Sequence, residues 1–232
     1  MNDGDELGLR SRRRWLAHCT ARALVFTFAL GAAFSAPALA QAPRKAGGPL
    51  ILVVGDSLSA EYGLKRGSGW VALMQARLTE KKIAATVVNA SISGDTTSGG
   101  RTRLPTLLAQ RPDIVVLELG ANDALRGLPL AMTRDNLDAM AKAAKASGAK
   151  VVIAGMQLPP NYGRQYGAEF SGLFATVAKA EGAALVPFLL KGVADVPQAE
   201  SLFQADRIHP IAAAHPTILD NVWAVIEPLL KR

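Results

Sequence analysis

Leu50-Ile51-Leu52-Val53-Val54-Gly55-Asp56-Ser57 is the stretch that decides the fold. Its first five residues are all apolar, which predicts a β-strand buried on both faces, and Gly55 ends the run. Similar short apolar runs recur at residues 84–88, 114–119, 151–154 and 184–186. Segments with helical spacing separate these runs. The chain therefore predicts an α/β fold, with a parallel sheet covered by helices on both faces.

Five segments show the apolar spacing of a helix. They cover residues 70–82, a stretch through Leu107 and Leu108, and residues 133–147, 169–181 and 216–230. No internal repeat or break in composition divides the chain after residue 50. We therefore expect a single domain over residues 50–232, preceded by a linker at residues 41–49 that is rich in Pro, Gly and basic residues.

The composition is globular, because 50% of the 232 residues are hydrophobic and only 19% are charged. The formal net charge is +7, but the chain after residue 40 contains no long run of Lys or Arg. A nucleic-acid surface usually shows such a run or a basic stripe. We therefore expect no nucleic-acid partner.

Residues 1–40 are typical of an export signal. A basic stretch at residues 10–14 precedes an apolar run at residues 23–34, and Ala38-Leu39-Ala40 is a small-x-small cleavage site. The stretch at residues 11–16, SRRRWL, also fits a twin-arginine signal, so the general and the twin-arginine routes both stay open. The apolar run is too short to span a bilayer, so we expect no stable membrane anchor after signal removal. The only cysteine, Cys19, lies in this leader, which excludes disulfide and thiolate chemistry from a chain that starts at Gln41.

Polar loops follow three of the predicted strands. They are GDSLS at residues 55–59, SISGD at residues 91–95 and GAND at residues 120–123. In parallel sheets, ligands bind beyond the carboxyl ends of the strands, where the strand order reverses. If the order is 2-1-3-4-5, these three loops meet at that place. We interpret the aspartates Asp56, Asp95 and Asp123 as residues that structure these loops through backbone N–H groups.

Only two histidines follow residue 40, His209 and His215, so the search for a general base is short. Asp206 lies three residues before His209, in DRIHP. This spacing lets a carboxylate bind one imidazole nitrogen and leave the other free for the hydroxyl of Ser57. His215 has no acidic residue at that offset, and we expect it to have a structural or surface role.

Four sequence blocks, taken together, resemble the motif blocks of the SGNH (GDSL) hydrolases. These are GDSLS (55–59), SISGDTT (91–97), GAND (120–123) and DRIHP (206–210), and they appear in the family's order. VNASISGDT at residues 88–96 and LPPNYGR at residues 158–164 are most similar to the secreted bacterial thioesterase I, lysophospholipase and arylesterase group. The resemblance implies a flavodoxin-like α/β/α sandwich with a five-stranded parallel sheet in the order 2-1-3-4-5.

The resemblance also implies a role for each site residue. Ser57 would be the nucleophile, and His209 the general base and then the general acid, with Asp206 fixing its tautomer. The backbone N–H groups of Ser57 and Gly94 and the side-chain amide of Asn122 would form the oxyanion hole. No cofactor or metal is implied.

The implied substrates are small acyl esters and thioesters, including aryl esters, acyl-CoA and lysophospholipids. The segment at residues 158–167 is expected to border the acyl groove. Its candidate substrate-binding residues are Leu158, Pro159, Asn161 and Tyr162. We expect a monomer located in the periplasm or secreted.

Three positions depart from the family pattern, because the chain has Glu61, Ala121 and Arg207 where the family often has Gly. None of these changes removes a catalytic atom. Arg207 places a cation between Asp206 and His209, which would disfavour the imidazolium, and Glu61 could change access to the site. The departures therefore put the substrate range in doubt more than the mechanism.

Two other classes of protein stay open at this point. The acidic loops could hold divalent metals in a phosphoesterase, although such sites usually need several histidines. A binding module on the same scaffold could cradle phosphate in the loop at residues 91–98. Insensitivity to a chelator would exclude the first class, and labelling of Ser57 by a fluorophosphonate would exclude the second.

Overall fold

A computed structural model describes residues 48–231 of the chain. One parallel sheet has the order β2-β1-β3-β4-β5, which is the order that the family resemblance implies. Its strands are β1 (Leu50–Gly55), β2 (Thr86–Asn89), β3 (Ile114–Glu118), β4 (Lys150–Ala154) and β5 (Ala184–Val186). The helices are α1 (Trp70–Glu80), α2 (Thr97–Leu108), α3 (Ala121–Leu125), α4 (Leu130–Ala146), α5 (Arg164–Glu181) and α6 (His215–Leu230). The predicted α/β class is therefore confirmed.

Helices cover both faces of the sheet. Helix α1 contacts α6, and α4 contacts α2 and α5. The central strands are apolar throughout because both of their faces are covered, and Ile51, Val53 and Val116 have no exposed area. Burying each such side chain stabilises the fold by about 1.5–3 kcal/mol, so the sheet is a rigid base for the loops at its edge.

The register of the sheet brings the three polar loops to one edge. Gly55 at the end of β1 pairs with Glu118 at the end of β3, and Val53 pairs with Asn89 at the end of β2. Because the strands are parallel, the segments that follow them leave the sheet on the same side. Strand β1 lies between β2 and β3, so this edge includes the point where the strand order reverses.

Two segments near this edge differ from the prediction. Helix α5 begins at Arg164 rather than at residue 169, so the segment expected to be a groove loop up to residue 167 ends at Gly163. Gly163 has a φ of +88° and no side chain caps the helix, so the usual start signal is missing from the sequence. The GAND segment at residues 120–123, expected to be a loop, contains the start of helix α3 (Ala121–Leu125).

The predicted export signal at residues 1–40 and most of the linker at residues 41–49 lie outside the described residues. Within the described part, no helix has both the length and the apolar character needed to cross a membrane.

Candidate active site

Ser57 lies in a tight turn directly after β1. The carbonyl of Asp56 accepts hydrogen bonds from the backbone N–H groups of Ser59 (3.2 Å) and Ala60 (2.9 Å), and the Asp56 side chain accepts one from Leu58 (3.0 Å). The backbone therefore turns sharply at the strand end. This turn places the Ser57 hydroxyl at the carboxyl edge of the sheet.

The structure brings Ser57, His209 and Asp206 into one hydrogen-bonded line. Ser57 Oγ lies 2.9 Å from His209 Nε2, although the two residues are 152 positions apart in the chain. His209 Nδ1 lies 2.7 Å from Asp206 Oδ2. When Nδ1 carries the proton and donates it to the carboxylate, Nε2 is left as an acceptor for the serine hydroxyl.

Three hydrogen bonds fix the carboxylate of Asp206. Its Oδ1 accepts from the backbone N–H groups of Ile208 (2.9 Å) and His209 (3.0 Å), and its Oδ2 faces the imidazole. Hydrogen bonds lower the pKa of Asp206 to about 2. The largest effect comes from the backbone N–H of His209, followed by the His209 ring and the N–H of Ile208. The carboxylate is therefore ionised at neutral pH and can stabilise a neighbouring imidazolium.

Two of the predicted oxyanion donors are backbone N–H groups. Within residues 48–231, the N–H groups of Ser57 and Gly94 donate no hydrogen bond. Gly94 has a φ of +78°, a conformation that glycine adopts easily. Its carbonyl accepts a hydrogen bond of 2.7 Å from Arg126 Nη2, which fixes the orientation of this loop.

Asn122 lies in the first turn of α3 and donates from its side-chain amide in two directions. Its Nδ2 lies 3.1 Å from Asp56 Oδ2 and 3.0 Å from the carbonyl oxygen of Asp95. The amide therefore joins the loops that follow β1, β2 and β3. Both of its hydrogens are engaged, so an oxyanion would have to replace one of these acceptors or share a hydrogen with it.

Two buried carboxyl groups lie behind the serine turn. Asp56 is 1% exposed and Glu118 is fully buried. Glu118 Oε2 accepts hydrogen bonds from Ser59 Oγ (2.6 Å) and from the backbone N–H of Asp56 (3.2 Å). Burial raises the pKa of Asp56 to about 7, and burial followed by the charge of Asp56 raises the pKa of Glu118 well above its ordinary value. The pair therefore resists carrying two charges at neutral pH.

The other two loop aspartates also bind neighbouring segments, as we interpreted them. Asp123 is buried and accepts from the backbone N–H of Thr97 (2.9 Å) and from the Thr97 hydroxyl. Asp95 accepts from the backbone N–H of Thr96 (3.0 Å) and forms an ion pair of 2.8 Å with Arg103. These bonds fix the start of α2 against α3 and so position the loop that carries Gly94.

A cavity of about 610 Å³ opens next to Ser57 and His209. Of the predicted substrate-binding residues, Leu158 and Pro159 line it, but Asn161 and Tyr162 are not among the lining residues. These two residues lie in a short 3-10 helix, Pro160–Tyr162, rather than in the extended groove loop that the sequence predicted. Much of the apolar lining was not predicted from the sequence; it includes Leu125, Met156, Phe188, Leu190, Phe203 and Ile208.

Two of the three departures from the family pattern share one backbone property. Glu61 and Arg207 have φ values of +61° and +59°, in the left-handed region that favours glycine. The Arg207 guanidinium forms an ion pair of 2.6 Å with Glu200, and both side chains are exposed. The carboxylate of Glu61 instead accepts hydrogen bonds from the N–H groups of Gly67 (2.9 Å) and Gly69 (2.8 Å).

His215 is not part of the hydrogen-bonded line of Ser57, His209 and Asp206. It is 2% exposed, and its Nδ1 accepts a hydrogen bond of 3.0 Å from the backbone N–H of Trp70, the first residue of α1. Burial lowers the pKa of His215, which favours the neutral ring that this bond requires. Among residues 48–231, no three His, Cys, Asp or Glu side chains are grouped so that they could hold a metal ion.

Activation of a serine hydroxyl through an oriented imidazole needs the distances found here, at the edge where such sheets bind their ligands. The fold and the site thus define a serine hydrolase with an α/β architecture. Residues 53–216 match the GDSL-like lipase/acylhydrolase family, and the chain belongs to this family. The resemblance of the four sequence blocks is therefore confirmed.

Several characterised proteins are similar to this chain over most of their length. Esterase TesA of Pseudomonas aeruginosa is 52% identical over 83% of this chain and 95% of that protein. An arylesterase of Vibrio mimicus is 41% identical over 86% of this chain and 93% of its own. Thioesterase 1/protease 1/lysophospholipase L1 of Escherichia coli strain K12 is 39% identical, over 81% and 88% respectively. A crystal structure of TesA superposes with a TM-score of 0.74 and 53% identity, covering 78% of this chain and 99% of that one.

Proposed function

We propose that the protein hydrolyses carboxylic esters and thioesters through an acyl-enzyme formed on Ser57. The observation that carries the proposal is the hydrogen-bonded line of Ser57, His209 and Asp206, with distances of 2.9 and 2.7 Å, beside a largely apolar cavity of about 610 Å³. A cavity of this size suits a small-molecule acyl group. Relatives named esterase, arylesterase and thioesterase support the substrate class.

Acylation begins when Ser57 Oγ attacks the carbonyl carbon of the substrate. His209 Nε2 takes the hydroxyl proton, and the ionised Asp206 stabilises the imidazolium that forms. The carbonyl electrons move to the oxygen, which becomes an oxyanion. When they return, the bond to the leaving oxygen or sulfur breaks, and His209 gives its proton to that atom.

The oxyanion needs donors that are already oriented. The N–H groups of Ser57 and Gly94 supply two, because neither binds another acceptor in the described part of the chain. Asn122 supplies the third when the oxyanion replaces Asp56 or the Asp95 carbonyl at its Nδ2. In deacylation, His209 takes a proton from water as the water oxygen attacks the acyl carbon, and the same donors bind the second oxyanion. When the carbonyl re-forms, the bond to Ser57 Oγ breaks, His209 returns the proton to Oγ, and the carboxylic acid leaves.

Replacing Ser57 with Ala tests the nucleophile. The variant should fold normally, because Ser57 is only half-buried, and should lose hydrolysis of nitrophenyl esters and labelling by a fluorophosphonate. Circular dichroism provides the control for folding. Retained turnover in a folded Ser57→Ala protein would refute the proposal.

The acyl chain and the leaving group are best defined with a substrate panel. Nitrophenyl esters of increasing chain length, an acyl-CoA thioester and a lysophospholipid should be compared by kcat/KM. A larger side chain at the cavity wall, as in Leu190→Phe, should shift the preference toward shorter acyl chains if this cavity binds the chain. Thr106→Ala, on the exposed surface of α2, is a control that should leave the chain-length profile unchanged.

We also propose that the protein is exported and acts as a monomer in the periplasm or outside the cell. The basic stretch at residues 10–14 and the apolar run at residues 23–34 support export. Cell fractionation of the full chain, compared with a chain starting at Gln41, tests the signal. Light scattering of the exported protein tests the monomer.

A further inference from the structure

Tyr62 is unusual because a large ring is exposed beside the site. Among residues 48–231, only Tyr62, Ile92 and Ile208 are large apolar side chains with high exposure, and Tyr62 is 50% exposed. Its ring centroid lies 4.3 Å from that of His209, and the two ring planes are inclined by 38°. One side of the imidazole of His209 is therefore covered by an aromatic ring whose remaining surface faces solvent.

The Tyr62 ring lies outside the proposed acyl cavity. His209 and Ile208 line the cavity of about 610 Å³, but Tyr62 does not. The imidazole of His209 thus contacts the cavity as well as the Tyr62 ring. If the acyl group occupies the cavity, the part of the substrate that leaves must extend elsewhere from the reacting carbon.

Hydrogen bonds from Gln204 connect the backbone of Tyr62 to the loop that carries His209. Gln204 Nε2 donates to the carbonyl oxygens of Tyr62 (2.9 Å) and Pro210 (3.1 Å), and the Gln204 N–H donates to the His209 carbonyl (2.7 Å). The side chain of Gln204 therefore joins the loop of Tyr62 to the loop of His209. The Glu61 carboxylate binds the following turn, as described above. These contacts place the Tyr62 ring beside the imidazole before any substrate binds.

We propose that Tyr62 is a specificity residue for the leaving group, and that its ring stacks against an aromatic alcohol as that alcohol departs. The inference rests on the proposed acyl-enzyme mechanism. The ester C–O bond breaks, its electron pair stays on the aryl oxygen, and the proton from His209 Nε2 completes the phenol. The leaving oxygen must then lie within hydrogen-bonding distance of Nε2. An aryl group attached to that oxygen comes within reach of the Tyr62 ring, where offset or edge-to-face contact is favourable.

Two esters with the same acyl group test this proposal. Phenyl butyrate has an aromatic leaving group, and hexafluoroisopropyl butyrate has a non-aromatic one of similar acidity. The readout is kcat/KM for phenyl butyrate divided by kcat/KM for hexafluoroisopropyl butyrate. This ratio does not depend on the fraction of active protein. Tyr62→Leu should lower this ratio roughly 2- to 10-fold, the range expected for loss of one aromatic pair. Tyr62→Phe keeps the ring and should leave the ratio within about 2-fold of the original.

Acyl-enzyme breakdown separates this role from a role in positioning His209. Both esters form the same butyryl-Ser57, so its hydrolysis rate should be unaffected by Tyr62→Leu. An unchanged ratio, or equal losses in acylation by both esters and in acyl-enzyme breakdown, would overturn the proposal. Tyr62→Trp is a second variant that retains a ring; a loss of aryl preference in it would also overturn the proposal. Turnover by Ser57→Ala would instead refute the acyl-enzyme mechanism, so failure of that mechanism can be distinguished from failure of the Tyr62 proposal.

Discussion

Glu118→Gln should reduce the loss of folding stability that rising pH causes in this protein. Glutamine has nearly the same shape, and its carbonyl oxygen can accept the bonds that Ser59 and the Asp56 backbone donate to Glu118 Oε2. Its NH₂ group would take the position of Glu118 Oε1, a buried atom without a hydrogen-bond partner in the described part. The substitution therefore removes the ionisable group while keeping the contacts of the serine turn.

The sign of the effect follows from the raised pKa of Glu118. Above the ordinary pKa of a glutamate, the unfolded chain has lost a proton that the folded protein still binds, so the free energy of unfolding falls as pH rises. One such group contributes a slope of about 1.4 kcal/mol per pH unit. In the range where the folded protein keeps this proton, the slope corresponds to roughly 3–6 °C in Tm per pH unit for a domain of this size. Glu118→Gln should lose the part of the decline that Glu118 causes, whereas the part caused by Asp56, whose pKa burial also raises, should remain.

Thermal unfolding between pH 5 and 7 measures the difference. The quantity to compare is the change in Tm over this range, because the substitution can also shift Tm by a constant amount. Glu80→Gln, at the exposed end of α1, makes the same chemical change away from the buried pair and should follow the unmodified protein. If Glu118→Gln and the unmodified protein lose equal amounts of Tm, Glu118 does not retain its proton in the fold, and the reasoning is wrong.

Three further predictions concern the site loops. Asn122→Ala should lower kcat about 10²- to 10³-fold if its amide binds the oxyanion, and a loss of less than a few-fold would exclude that role. Asp206→Asn, which cannot stabilise an imidazolium, should lower kcat by on the order of 10²- to 10⁴-fold, with fluorophosphonate labelling slowed in parallel; near-normal turnover would contradict the assignment. Arg207→Gly should relieve left-handed strain of about 1 kcal/mol and raise Tm by about 2–4 °C, whereas a lower Tm would show that the ion pair with Glu200 matters more.

The sheet and the main site residues were predictable because their signals are local. An apolar run with no alternation predicts a buried strand, and β5 was predicted with the bounds that the structure shows, Ala184–Val186. The pairing of Asp206 with His209 was also accessible, since three residues separate them. Helix starts were harder: α4 begins at Leu130 after Pro129, three residues earlier than predicted, and no side chain caps it.

The rest of the site depends on contacts between distant segments, which no local pattern records. Phe188 and Phe203 follow β5 in the chain, yet they line the same cavity as Leu58, which follows β1, and Leu125, which follows β3. The contact of Tyr62 with His209 requires Gln204 to join two loops that are 142 positions apart. No role for Glu118 was predicted from the sequence, and its burial beside Asp56 follows from the register of β1 and β3. The order of the strands was predictable, but the side-chain neighbours that it creates were not.

The hydroxyl and the imidazole of the proposed mechanism come from opposite ends of the domain, one after the first strand and the other just before the last helix. A polypeptide that stops short of position 209 lacks the proposed base, however well its earlier strands have paired. In this mechanism hydrolysis begins only after the final segment docks, and catalytic output measures how much of a preparation has completed its tertiary structure.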